Sequence, residues 1–216
     1  AVIGPVIASE LSLPDNALGL LTSTYFLAFG AAQLPLGMLL DRYGPRRVES
    51  GLLLLAGTGV ALFALSDTLG GLAAGRALIG LGVSACLMAS LKAFTLWFPL
   101  ERQASLTGCV MASGGLGALA AAKPLEIAIG FTSWRLIALG LAVATVLVAA
   151  LIWWRVPDSG GDGRNSGARE QLAGVRQVFS SRHFWRYAPM GFWMTGGFMA
   201  VQGLWASRWM NVLEGM

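Results

Sequence analysis

The chain has 216 residues, 56% hydrophobic and 12% charged, about half the charge of an ordinary water-soluble domain. Mean hydropathy is +0.66, and apolar runs of about 20 residues recur, the length that crosses a bilayer. The formal charge of +4 sits in particular loops and makes no basic patch, so no nucleic-acid partner is expected, and the composition points to an all-α, polytopic membrane protein in contact with lipid.

Taken in order, Ala1 to about Ala8 reads as the outer end of a first helix whose start is missing, so the chain is expected to be a fragment cut at both ends. Glu10 to Asn16 is a short acidic loop in which Asp15 or Asn16 could cap the next helix. Span two is expected over about Ala17–Leu40 and span three over Val48–Ser66, ending in the turn Asp67–Gly71. Span four follows over Leu72–Phe98, closed by Pro99, and span five over Ala104–Leu125, rich in Gly, Ala and Ser. Span six, Trp134–Trp154, has aromatics at both ends, as membrane interfaces favour.

Val156 to Gly167 is too poor in apolar residues to fold. Leu172, Val175, Val178 and Phe179 then recur at helical spacing, predicting a surface-lying amphipathic helix over Arg169–Phe179. Span seven is expected over Arg186–Trp209. The domain reading is a bundle at 1–155, a linker at 156–185 and the start of a second bundle at 186–216. Arg42, Arg46, Arg47, Arg102, Arg155, Arg164, Arg169, Arg176, Arg182 and Arg186 all fall on one side of these spans. Arg135 and Arg208, with Lys123 at the margin, fall on the other. By the positive-inside rule the loop 41–47 and the linker 156–185 are cytoplasmic, in an inner (plasma) membrane.

The most distinctive stretch joins spans two and three: Gly37, Met38, Leu39, Leu40, Asp41, Arg42, Tyr43, Gly44, Pro45, Arg46, Arg47. Gly37 predicts a close backbone approach on the helix, and Gly44 a tight reversal. Asp41 stands at the carboxyl end of a helix, where the dipole disfavours an anion, so it needs a positive partner; Arg42, Arg46 and Arg47 are within reach. Helix-end capping and topology are the plainer reading of the same residues.

In spacing and residue type this run resembles the signature loop between the second and third helices of major facilitator superfamily transporters. That pattern is Gly, three residues, Asp, Arg or Lys, one residue, Gly, one residue, then two basic residues. Six spans, a long linker and a new span also resemble the family's layout of two six-helix halves with solute between them. The resemblance implies a six-helix bundle lacking most of its first helix, plus the first helix of the second bundle. It implies a secondary transporter moving a small solute by alternating access, coupled to ions, with protons the expected choice. It implies Asp41 as the acid of a cytoplasmic latch, no enzyme activity, no cofactor, and a monomer when full length. A membrane sensor that binds solute without transporting it, and a structural subunit that carries nothing, are the rivals.

Other polar groups are few. Arg76, followed by Gly80 and Gly82, is similar to the family's fourth-helix pattern, with Ile79 where a Gln often stands. A guanidinium inside a span costs about 3 kcal/mol unless paired or wetted, so Arg76 either faces the interior or snorkels to the outer interface. Lys92 lies roughly 24 Å further along and nearly opposite around the axis, facing either a cavity or the cytoplasmic surface. Both charges lean towards an anionic solute. Tyr25, Phe29 and Gln33 share one face of span two, and Gln202 lies in span seven; these are candidates for solute or for helix-to-helix bonds. Gly80, Gly82, Gly108, Gly114, Gly115 and Gly117 are expected at helix contacts. Cys86 and Cys109 read as buried small hydrophobes, with no disulfide or metal site, and His183 as interfacial. No carboxylate for proton coupling is visible deep in a span, Glu49, Asp67 and Glu126 all being near ends.

Overall fold

A computed structural model of the chain describes residues 3–11, 13, 14, 16–158, 174 and 176–201. Among them all regular structure is helical. Residues 2–164 form one compact unit, and the residues from 165 onward belong to another.

The first unit holds α1 (Ile3–Glu10), α2 (Ala17–Leu65), α3 (Leu69–Val83), α4 (Cys86–Trp97), α5 (Leu100–Ala120), α6 (Lys123–Phe131) and α7 (Trp134–Arg155). α2 is two helices run together, because at Gly44 φ is 77° and ψ 163° and the chain reverses. A residue with a Cβ rarely adopts that φ. Pro45 disfavours helical ψ at the residue before it and suits the first turn of the helix after it. The expected spans two and three are thus the arms 17–43 and 45–65. Gly44→Ala is expected to cost about 1–3 kcal/mol in backbone strain, read as a lower melting temperature of the purified protein. An unchanged value would mean that the reversal does not need glycine.

α3 packs on both arms. A Cβ built on Gly59 would lie 2.7 Å from Leu78 Cβ, and one on Gly75 would lie 2.9 Å from the Gly59 carbonyl oxygen, so this pair runs antiparallel with the backbones nearly touching. Gly80 abuts the Tyr25 carbonyl while Gln33 reaches Ser84, so α3 and the first arm run parallel. α7 is antiparallel to the second arm and inverts the soluble pattern. It buries Ala138, Ala142 and Ala149 and exposes Leu136, Leu141, Val143, Leu147 and Leu151, as suits a helix whose surroundings are lipid and whose contacts need closeness.

The buried large side chains gather at the two ends. Ile7, Leu21, Phe63, Leu72 and Trp134 form one cluster; Leu36, Leu40, Val48, Ala85 and Ala89 form the other, beside the Gly44 turn. Thr22, Ser50, Ser90 and Thr145 each donate to a carbonyl four residues back in their own helix, so these four hydroxyls need no water. By length and hydropathy a window within Pro35–Leu65, the stretch Leu69–Trp97 and the helix Trp134–Arg155 can each cross a membrane, and the bent pair Leu100–Ala120 and Lys123–Phe131 makes a fourth. The chain is a multi-pass membrane protein.

One span expected to be continuous is broken. Span four runs over Leu69–Trp97, with only a local irregularity at Ser84–Ala85 between α3 and α4, where both residues keep helical backbone angles. Span five ends at Ala120, and the chain resumes as α6 after a bend of 40°; Pro124, in the first turn of α6, lacks the amide that continuity would need. Thr68 and Ser133 cap α3 and α7 by accepting from Gly71 and Leu136. In the second unit α8 (Arg182–Ala200) contains Pro189, and residues 176–180 are helical. Trp185 Nε1 donates to the Phe179 carbonyl at 2.7 Å. The amphipathic helix expected from Arg169 begins outside the described residues.

Candidate functional site at the charged turn

The turn at Gly44 gathers charge because the arms on either side deliver it there. Asp41 ends the first arm, and its partner is not one of the neighbouring arginines. Lys92 Nζ, 51 residues on in α4, donates to Asp41 Oδ1 at 2.9 Å. The expectation of local arginine partners is therefore corrected. Each arginine of the turn is engaged elsewhere: Arg42 lies over the Tyr43 ring at 5.2 Å and Arg46 over Trp153 at 5.0 Å. Arg47 donates through Nη2 and Nε to Asp158 Oδ2, at 2.6 and 3.2 Å. Two consequences follow from this geometry. Asp41 ties the first arm to α4, while Arg46 and Arg47 tie the second arm to the end of α7.

Behind the Asp41–Lys92 pair a groove of about 390 Å³ runs between the first arm and α4, lined by Gln33, Leu36, Gly37, Leu40, Met88 and Leu91 among others. Gly37 has no atom within 4 Å of its would-be Cβ. Among the described residues no close approach is made there, and the missing side chain leaves room in the groove. Gln33 Nε2 donates to the Ser84 carbonyl at 3.3 Å, at the irregularity between α3 and α4. It serves a backbone group in an apolar slab, which is the helix-to-helix role among the alternatives.

Arg76 faces the interior. Its guanidinium lies over the Phe63 ring at 4.7 Å, and its buried Nε has no hydrogen-bond partner among the described residues. Tyr25 is in electrostatic reach of Arg76 and stacks on Phe29, with centroids 6.3 Å apart. Gly80 and Gly82 are packing sites as expected, against Tyr25 and Ala56. Gly108, Gly114, Gly115 and Gly117 have nothing within 4 Å among the described residues, where α5 packs mainly on α4 and α6. Gln202 lies outside the described residues.

One cluster was not foreseen, at the end opposite the turn. Arg135 donates to the Ala64 carbonyl at 2.7 Å, the Ser66 carbonyl at 3.3 Å, Asp67 Oδ1 at 2.7 Å and Glu10 Oε1 at 3.3 Å. Trp134 Nε1 donates to Glu10 Oε2 at 2.6 Å. The side chain of Arg135 is 26% exposed. The sequence signal was an arginine next to a tryptophan on the arginine-poor side, with Glu10 and Asp67 in the adjoining loops.

The family described as Major Facilitator Superfamily matches residues 1–215. The chain is 24% identical over 204 residues to a hexuronate transporter of Escherichia coli K12, covering 87% of this chain and 47% of that protein. It is 24% identical over 205 residues to a galacturonate transporter of Dickeya chrysanthemi, covering 87% and 59%. It is also 26% identical over 135 residues to a probable sulfoacetate transporter of Cupriavidus necator, covering 62% and 31%. The chain thus spans less than two thirds of the length of each.

Proposed function

Since the chain belongs to the major facilitator superfamily, we propose that it forms part of a secondary transporter that carries a small anionic solute by alternating access, driven by a proton gradient. The observation that carries the reading is the Asp41–Lys92 pair. It joins two elements at the mouth of a groove through side chains alone, so it can part and re-form without unfolding either helix. The turn and the linker lie on the cytoplasmic side in this reading, as the arginine count favours.

Arg76 is the candidate for the solute. A guanidinium turned inward, with an unsatisfied Nε and an aromatic face beneath it, suits a carboxylate or sulfonate, which it can grip at two points. The relatives named for hexuronate, galacturonate and sulfoacetate support an acid as cargo. The test is uptake of labelled galacturonate by the full-length protein in proteoliposomes, with and without an imposed proton gradient. Saturable, gradient-dependent uptake is expected, with Arg76→Gln lowering apparent affinity about tenfold or more. Binding without flux would replace the transporter with a solute sensor.

A further inference from the structure

We propose that Glu49 is the proton-carrying site of this bundle and that its protonation decides whether Arg46 holds α7; the inference rests on the coupled-transporter reading above. In sequence Glu49 sits near the end of a span. In the structure it lies one turn inside the second arm, next to Val48 of the buried cluster beside the Gly44 turn. Its Oε2 is buried, with no hydrogen-bond partner among the described residues, while the carboxyl group as a whole is hydrogen-bonded by the thiol of Cys86, in the first turn of α4. Beyond Cys86 stand Tyr25 of the first arm and Arg76 of α3, so polar side chains extend from the turn towards the candidate solute site.

The second incomplete group is three residues back on the same arm. Arg46 Nε is also buried without a hydrogen-bond partner among the described residues, and its guanidinium rests on Trp153 of α7. The spacing i, i+3 brings such side chains together on a helix. The surrounding elements add few other titratable groups. The first arm has Tyr25, Asp41, Arg42 and Tyr43; α3 has Arg76; α4 has Cys86 and Lys92; the second arm adds Arg47; α7 has Arg135 and Arg155. Asp41 and Lys92 hold each other, Arg47 holds Asp158, Arg135 is bonded at the opposite end, and Arg155 lies over Trp154.

Carrying a proton, the neutral carboxyl group fits a dry interior and leaves Arg46 on Trp153. When the proton passes to water at the turn, the carboxylate needs a cation, since an unpaired charge in such a place is expensive. Arg46 then turns to Glu49 and gives up Trp153, loosening the turn from α7. Only a proton is exchanged, between solvent and the carboxylate oxygen.

The test treats the full-length protein in proteoliposomes with dicyclohexylcarbodiimide, which modifies protonated carboxyl groups in apolar surroundings, and reads the peptides by mass spectrometry. Glu49 is expected to be labelled and its labelling to fall about tenfold as pH rises through its titration, with exposed Glu101 unlabelled. In parallel, Glu49→Gln is expected to abolish the pH dependence of galacturonate exchange and its proton-driven accumulation while retaining exchange itself. Labelling absent or flat with pH overturns the proposal, as does a Glu49→Gln protein with the wild-type pH profile. Should the wild type show no galacturonate flux, the transport reading fails on its own account, and the labelling still decides the role of Glu49.

Discussion

Neutralising Asp41 as Asn is expected to lower solute flux about tenfold while shifting the melting temperature very little. The two effects separate because of where the pair lies. Lys92 and Asp41 side chains are 33% and 58% exposed, and an ion pair so wetted contributes about 0.2–1 kcal/mol to stability. A contact made in one state of a two-state cycle has a larger effect on the cycle. Couplings of about 1–3 kcal/mol change populations 5- to 150-fold. Lys92→Ala should reproduce the loss, and the exchanged pair Asp41→Lys with Lys92→Asp should recover part of it. Flux measured with matched membrane levels of each protein decides the matter. A double variant whose losses simply add would show that the two residues act apart.

The second large effect is expected at the glycine contacts. A methyl group on Gly82 would lie 2.6 Å from both the Cα and the Cβ of Ala56, so Gly82→Ala must push the second arm and α3 apart. Overpacking of this kind costs about 1–3 kcal/mol or more, and here it falls on backbone that has no side-chain freedom to yield. We expect Gly82→Ala to lose most of its monodisperse peak in size-exclusion chromatography. Gly108→Ala, with nothing within 4 Å, is expected to be indistinguishable from wild type within this bundle. Equal behaviour of the two variants would show that close helix contact does not hold the unit together.

How far the sequence could be read depended on the range of the forces involved. Spans were legible because hydropathy is a local property, and the reversal at Gly44 was legible because Gly followed by Pro restricts backbone angles within two residues. The partner of Asp41 was not. Three arginines were near in sequence, and only the parallel packing of α4 on the first arm brings Lys92 alongside. The break at Ala121 was hidden for a related reason, since mean hydropathy is unaffected by a bend. The role of Gly37 is not set by its type, because an absent side chain can make either a contact or a space, and only the neighbours decide which. Glu49 is near an end, as its sequence position indicates, but only the packing around it shows that its carboxyl group is enclosed.

Arg135 gives the bundle an asymmetry. Around Gly44 the elements are joined by side chain to side chain or side chain to ring, grips that water can replace one at a time. At the far rim one guanidinium is fastened to main-chain carbonyls at Ala64 and Ser66, which cannot be released by a change of rotamer in their own residues. Flexing of the unit should therefore resemble a fan riveted at one edge, with the widest excursions at the charged edge and almost none beside Trp134.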